Sequence, residues 1–251
     1  MTSVEEFKDL FSRQSGDYAR YRPTYPPKLF HYLASLVDSH DLAWDVGTGS
    51  GQAAIALATH FTRVVATDPS EEQISNAATH GRVEFRVGMA EESPFPASSV
   101  DLIAAAQSFH WFHQKEFFAE ARRVMRPQAV LAIWCYDLCK ITPEIDTVMR
   151  ELHDDVLGNY WLAENRMVER RYKDVIIPMK EVAPPVFEMT AEWTLDHLVG
   201  YIGTWSALQT YTREGRREPL ERTVSRLRVV WGDAEKRKVQ WELGLRVAVN
   251  G

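Results

Sequence analysis

Three glycines at alternate positions, Gly47, Gly49 and Gly51, follow Asp45 at the end of the apolar run Leu42-Ala-Trp44, and a stretch of small residues opens at Gln52. Strand, glycine turn and helix in that order bring backbone N–H groups and a helix N-terminus up to a ligand, where a Cβ would obstruct both the turn and the approach. The spacing argues against a dinucleotide. The fingerprint G-x-G-x-x-G asks for a small residue three positions after Gly49, and this chain has Gln52 there. Asp45 also stands where a carboxylate repels a pyrophosphate and suits an ammonium group. A second acid, Asp68, closes Arg63-Val-Val-Ala-Thr-Asp68 about twenty residues further on, where βαβ nucleotide folds set a carboxylate on ribose hydroxyls. Its alternative role is as a turn or N-cap residue.

His110, in Gln107-Ser-Phe-His-Trp111, is the candidate general base. An ordinary imidazole, with a pKa of about 6.5, suits removal of a proton from a hydroxyl or amine. A purely structural hydrogen-bonding role is the other reading, and both stay open. Arg20 and Arg22, in the aromatic and basic arm Asp17–Pro27, are suited to bidentate recognition of a carboxylate or to a salt bridge that ties the arm down. Tyr160 and Trp161 can reach a pocket or fill the core of a lid.

The elements that must position these residues follow from the hydrophobic pattern. Residues 4–13 read as an amphipathic helix. Pro23 and Pro26 force an extended connection into a helix near 26–38. Strands are expected at 42–46, 63–68, 83–87, 100–106 and 129–134, with helices at 51–60, 70–79 and 114–124 between them. That alternation predicts a doubly wound, mostly parallel sheet, whose ligands bind at the carboxyl ends of the strands. Asp45, Asp68, Met89–Glu91 and Gln107–Trp111 all fall at those ends. Residues 138–185 break the rhythm and start with an amphipathic helix at Pro143–Leu157. The Arg-rich stretch Arg213–Arg228 is expected as a solvated, salt-bridged helix.

The chain has 251 residues, 45% of them hydrophobic, and a net charge of −6, which argues against broad electrostatic binding to nucleic acid. Cys135 and Cys139, without companion Cys or suitably spaced His, make a poor zinc site, so no metal is expected and the thiols read as reduced. No apolar run is long enough for a membrane span and no leader pattern opens the chain, so the expectation is a cytoplasmic protein, monomeric by default.

With these residues in place, the segment from Phe11 to about Asp137 resembles the methyltransferase-11 type of class I S-adenosylmethionine-dependent methyltransferase, through Asp45-x-Gly-x-Gly-x-Gly51. More narrowly it is similar to the trans-aconitate methyltransferase-like group, on Tyr18-x-x-Tyr21-Arg-Pro-x-Tyr-Pro, Ser108-Phe-His-Trp-Phe, Gly203-Thr-Trp-Ser206, Trp231-Gly-Asp and Trp241. The resemblance implies a Rossmann-like α/β fold of seven strands with the last one antiparallel, for which Val186–Trp193 and Val239–Val247 are the candidates for strands six and seven. It divides one methyltransferase domain into an N-terminal helical arm or lid (1–40), a cofactor core (41–137), a helical insertion between strands five and six (138–185) and the last strands and helices (186–251).

It also implies S-adenosylmethionine as cofactor and a small-molecule acceptor. Asp45 with Gly47, Thr48, Gly49 and Gly51 would hold the methionine end, Asp68 the ribose, Met89, Ala90 and Glu91 the adenine edge, and Gln107 the methionine moiety. Met89 stands where relatives often carry Asp, so adenine recognition falls to Glu91 or to backbone groups. The usual Pro-Gly-Gly before strand five is Pro127-Gln-Ala here, a change expected to affect only a turn. Tyr18, Tyr21, Phe109, Trp111 and Trp205 are candidate aromatic walls, since ring faces attract a methylsulfonium without competing as nucleophiles; for Phe109 a core role is favoured. The leading expectation is O-methylation of a carboxylic acid. Methylation of a hydroxyl, amine or carbon with His110 as base is the alternative, and a non-catalytic cofactor-binding protein the minor one.

Overall fold

The computed structural model describes residues 20–215 and 218–251. The helix expected at 4–13 and Tyr18 lie outside them. Strands β1 (Leu42–Val46), β2 (Arg63–Asp68), β3 (Val83–Val87), β4 (Val100–Ala106) and β5 (Met125–Tyr136) form a parallel sheet in the order 3-2-1-4-5. Crossovers are made by α2 (Gln52–Leu57), α3 (Glu71–Asn76) and α4 (Gln114–Val124), and α1 (Pro27–Ser35) precedes β1. Proline at the first position of α1 fits its entry, because the missing N–H would have no helical partner there.

β1, β2, β4 and β5 are buried on both faces. Trp44, Val65, Ile103 and Leu131 face Phe117 and Ala121 of α4. Ala43, Val64, Leu102 and Val130 face α1 and α2 on the other side. Each strand alternates between the two cores, as its period of two requires.

Beyond β5 runs β8 (Arg237–Val249), antiparallel to it from Val130↔Val249 to Tyr136↔Leu243. The sixth strand is interrupted. β6 (Lys180–Val182) and β7 (Glu188–Trp193) both pair antiparallel with β8, separated by Pro184-Pro185, which have no N–H to offer a ladder. The described sheet therefore counts eight strands where seven are expected. β5 starts four residues earlier than its apolar run, because its register on β4 shifts between Val100 and Leu102. Gln128 takes φ 63° there, so a left-handed residue persists where Pro127-Gln-Ala lacks the glycine.

A third core lies over the carboxyl ends of the strands. It is built by α5 (Pro143–Arg150) with its π-helical continuation Glu151–Val156, and by α7 (Leu195–Gly203), α8 (Ser206–Arg213) and α9 (Glu218–Trp231), whereas α6 (Asn165–Glu169) packs Met167 and Val168 on the core around Phe117. The Arg-rich stretch is thus not one helix: it is split between α8 and α9, with Gly215 at φ 81° between them. The insertion between strands five and six supplies α5 and α6. The segment between strands six and seven supplies the rest of this cap. Among the described residues no helix is long and apolar enough to cross a membrane.

Candidate functional site

The glycine turn is braced from below. Asp45 is fully buried, and its Oδ2 accepts from the Thr48 hydroxyl at 2.6 Å. Ser108, in the turn after β4, donates to the Val46 carbonyl at 2.7 Å, and a Cβ on Gly47 would come within 2.5 Å of the Ser108 Cβ. Gly47 thus lets the β1 and β4 loops touch. A Cβ on Gly51, at φ 85°, would meet the Phe85 ring at 2.7 Å. Gly49, also at positive φ, faces open space. A backbone that turns sharply below an open face is a cradle a ligand can approach.

Asp68 ties this cradle to β2. Its Oδ2 accepts from the Gly49 N–H and its Oδ1 from the Ser70 N–H, both at 2.9 Å. Each carboxylate oxygen has two lone-pair sites, so one carboxylate can hold backbone N–H groups and a ligand hydroxyl together. The turn-forming role and the ligand role of Asp68 are therefore compatible. Ser70 itself caps α3 by accepting from the Gln73 N–H.

Asp45 needs correcting against its expected contact with an ammonium group: no atom of it reaches the open face. Its Oδ1 has no hydrogen-bond partner among the described residues. Burial pushes its pKa up to about 7, and the nearby Asp68 charge adds to the rise. Glu91 is partly occupied too, because its Oε1 accepts from the His113 N–H at the start of α4 while Oε2 stays buried without a partner. Met89 is 40% exposed at the same rim and Ala90 is buried.

Next to the cradle, a cavity opens between the ends of β4 and β5 and the cap. Gln107, His110, Trp111, Arg22, Trp161 and Trp205 contribute to its wall. Gln107 takes φ 57° and clamps the end of β5, donating to the Tyr136 carbonyl and accepting from the Tyr136 N–H. Arg22 reaches in from the arm. Its guanidinium donates to the Thr204 carbonyl at 3.2 Å and lies over the Tyr201 ring at 5.3 Å. Phe109 faces away into the core beneath, packed on Phe117, Phe118 and Tyr172.

His110 is 5% exposed, and its Nδ1 sits 2.9 Å from the Tyr172 hydroxyl. Burial lowers its pKa to about 3. An imidazole so weakly basic is poorly matched to proton removal near neutral pH, which corrects its reading as the general base.

Three further expectations change place. Tyr21 packs on α7, where a Cβ on Gly200 would collide with its ring and where it meets His197 edge-on at 5.3 Å. Arg20 is exposed and lies over the Tyr21 ring. Neither lines the cavity. Tyr160 points to the outer side, donating to Glu214 and packing on Tyr211, while its neighbour Trp161 takes the cavity side.

Other cavity residues gave less warning. His153 sits against Trp161 at 4.5 Å with its Nδ1 2.6 Å from Asp154, yet its sequence context is that of an amphipathic helix. A turn of that helix given over to π geometry brings it inward. Tyr201 and Asn165 carried no signal that spacing supplies.

Comparison with known proteins agrees with this geometry. The methyltransferase domain family matches residues 44–133. A Dictyostelium discoideum protein assigned by inference as a methyltransferase is 34% identical over 223 residues, covering 86% of this chain and 83% of that one. A Saccharomyces cerevisiae protein assigned as an S-adenosylmethionine-dependent methyltransferase is 23% identical over 246 residues, covering 82% and 83% of the two chains. Among solved structures, an Anaeromyxobacter dehalogenans protein, described by inference as a type II methyltransferase, superposes with a TM-score of 0.85 at 39% identity, over 92% of this chain and 98% of that one.

The chain belongs to the class I S-adenosylmethionine-dependent methyltransferases. It is an enzyme, and S-adenosylmethionine is its cofactor. The cradle fits that group: an open face at Gly49, where a ligand can come close to the backbone, and a carboxylate acceptor at Asp68 suit a cation that carries a ribose.

Proposed function

We propose that this methyltransferase esterifies a small carboxylic acid, in the manner of the trans-aconitate methyltransferase-like group, and that it does so in the cytoplasm. The observation that carries the reading is Arg22, a guanidinium set into the cavity wall between Tyr201 and the Thr204 carbonyl. Arginine is the side chain best shaped to hold a carboxylate by two parallel hydrogen bonds. A carboxylate nucleophile loses no proton, so it asks nothing of the weakly basic His110.

When bound, the cofactor supplies an electrophilic methyl group and departs as a neutral thioether. The chain's tasks are to align the acceptor and exclude water. Gly47, Thr48, Gly49 and Gly51 form the cradle for the methionine end, and Asp68 accepts from the ribose. The adenine amino group is assigned to Glu91, beside Met89 and Ala90; the buried Oε2 without a partner supports that role. Gln107 stiffens the boundary between cradle and cavity. Trp111, Trp161 and Trp205 wall the acceptor side. Asp45 holds the turn from below through Thr48.

The test is methyl transfer from isotopically labelled cofactor to a panel containing trans-aconitate and short mono-, di- and tricarboxylates, beside amines and alcohols. Base-labile methyl esters formed from panel acids are expected. Product from amines or alcohols alone would sink the reading.

A second reading has one observation of its own. His153 lines the cavity, and Asp154 beside it, 2.6 Å from His153 Nδ1, can orient it as a base, which suits an alcohol acceptor. Under that reading His153→Asn abolishes turnover. Under the carboxylate reading it does not.

A further inference from the structure

We propose that Tyr172 is a positioning residue: it holds His110 as the neutral imidazole whose Nδ1 accepts and whose Nε2–H serves the acceptor cavity, so that His110 donates a hydrogen bond to the acceptor instead of taking its proton. The inference rests on the carboxylate reading for the nature of the acceptor, but the hydrogen-bond geometry stands independently of it.

The backbone shows how much structure is committed to this contact. Arg171 and Tyr172 both have left-handed φ, 53° and 57°, although neither is glycine. Such conformations are unfavourable for residues with a Cβ and persist only where their surroundings over-determine them. Those surroundings are present. The Arg246 guanidinium donates to the carbonyls of Tyr172 and Val175 and pairs with Glu181. Gly244 on β8 lies where a Cβ would stand 2.5 Å from the Arg171 Cβ, so the missing side chain admits the strained pair. Tyr172 is 1% exposed, its ring edge-on to Phe109 at 5.4 Å, and its hydroxyl is 2.9 Å from His110 Nδ1.

The direction of the proton follows from the donors present. Burial raises the Tyr172 pKa well above the usual phenol value, so its hydroxyl keeps its hydrogen. The His110 backbone N–H lies close to the phenolic oxygen and favours turning the O–H toward an acceptor. Two lie near, His110 Nδ1 and the Cys135 sulfur, and an imidazole nitrogen is much the stronger. The Cys135 thiol directs its own hydrogen toward the Val168 carbonyl. A neutral imidazole that accepts at Nδ1 carries its hydrogen on Nε2. Nε2 has no hydrogen-bond partner among the described residues, and His110 lines the cavity. A carboxylate oxygen there would receive a fixed donor, with no proton moved.

The experiment is long-range 1H–15N correlation on protein labelled at histidine, with His110→Gln assigning the resonance, for wild type and Tyr172→Phe. KM and kcat are measured alongside with trans-aconitate, or with whichever panel acid turns over fastest. Expected in wild type is an unprotonated Nδ1 and a protonated Nε2, unchanged between pH 5 and 8. Tyr172→Phe keeps the ring. It is expected to give a mixture of tautomers and to raise KM about three- to tenfold, with kcat and S-adenosylhomocysteine affinity within about twofold of wild type. If that variant fails to fold, the wild-type spectrum decides. A protonated Nδ1 in wild type, or a variant with unaltered tautomer and KM, overturns the proposal. The expected tautomer with turnover of amines or alcohols only overturns the carboxylate reading and the donor role with it.

Discussion

The glycine cradle and the cavity beside it meet at one edge of the sheet, yet they are assembled in opposite ways. The cradle is local. Residues 45–51 and 67–70 make it, and apart from the Ser108 bond to Val46 across 62 residues its ties span at most 23, from Trp44 to Thr67. The cavity is distant: Arg22 is fastened to Thr204 across 182 residues, and His110 to Tyr172 across 62. Their charges differ as well. The cradle buries an acid, Asp45, whose pKa rises, whereas the cavity buries a base, His110, whose pKa falls. A site for an invariant cofactor can be written into one turn. A site for a particular acceptor is contributed by whatever the cap brings to it.

The opposed pKa shifts give the largest expected effect. Asp45 rises from 3.8 to about 7, so the folded state holds a proton that the unfolded state has lost. Stability therefore falls as pH rises from about 4 to 7, by about 4 kcal/mol in total. His110 falls from 6.5 to about 3, so the unfolded state binds the extra proton. Its contribution is full above pH 6.5 and is lost as pH falls toward 3, by about 5 kcal/mol. Between about pH 4 and 6.5 the two slopes cancel. Urea unfolding across that range should show no net slope from this pair in wild type, leaving the rise with pH that the lowered pKa values of Glu84, Glu120, Glu242, His60 and His197 contribute. Relative to wild type, Asp45→Asn should make stability rise more steeply with pH, and His110→Gln should make it fall. Identical profiles for all three proteins would remove the buried charges from the account.

Asp68→Ala comes next. It removes two charge-assisted backbone bonds and the proposed ribose acceptor, and S-adenosylhomocysteine affinity should drop at least about 100-fold by calorimetry. Arg22→Gln should raise acceptor KM about 10- to 30-fold and leave cofactor affinity within twofold. The smallest contrast is between neighbours. Trp161→Ala should raise acceptor KM about tenfold, while Tyr160→Phe, which loses one exposed bond to Glu214, should change neither KM nor stability measurably.

Strands β1, β2, β3 and β4 were legible in the sequence because each is a continuous apolar or alternating run closed by a turn residue. β6 was not, because three residues ahead of Pro184-Pro185 carry no period. Asp68, Gly47 and Gly51 were legible because turn chemistry is local. Which of Tyr160 and Trp161 faces the cavity was not legible, because adjacent residues after a helix differ only in direction, and direction is set by the π turn before them. Tyr172 was invisible for a related reason: its role depends on Gly244 and Arg246, about seventy residues away, which allow and hold a strained backbone. Asp45 was found but placed on the wrong side of its turn, since a motif gives position along the chain and not depth.

The most direct test of this division of labour is a single calorimetric series, S-adenosylhomocysteine titrated into wild type, Asp68→Ala and Arg22→Gln. Binding lost in Asp68→Ala and retained in Arg22→Gln is the predicted result. Equal loss in both variants would mean that cradle and cavity are one site, and would contradict the account.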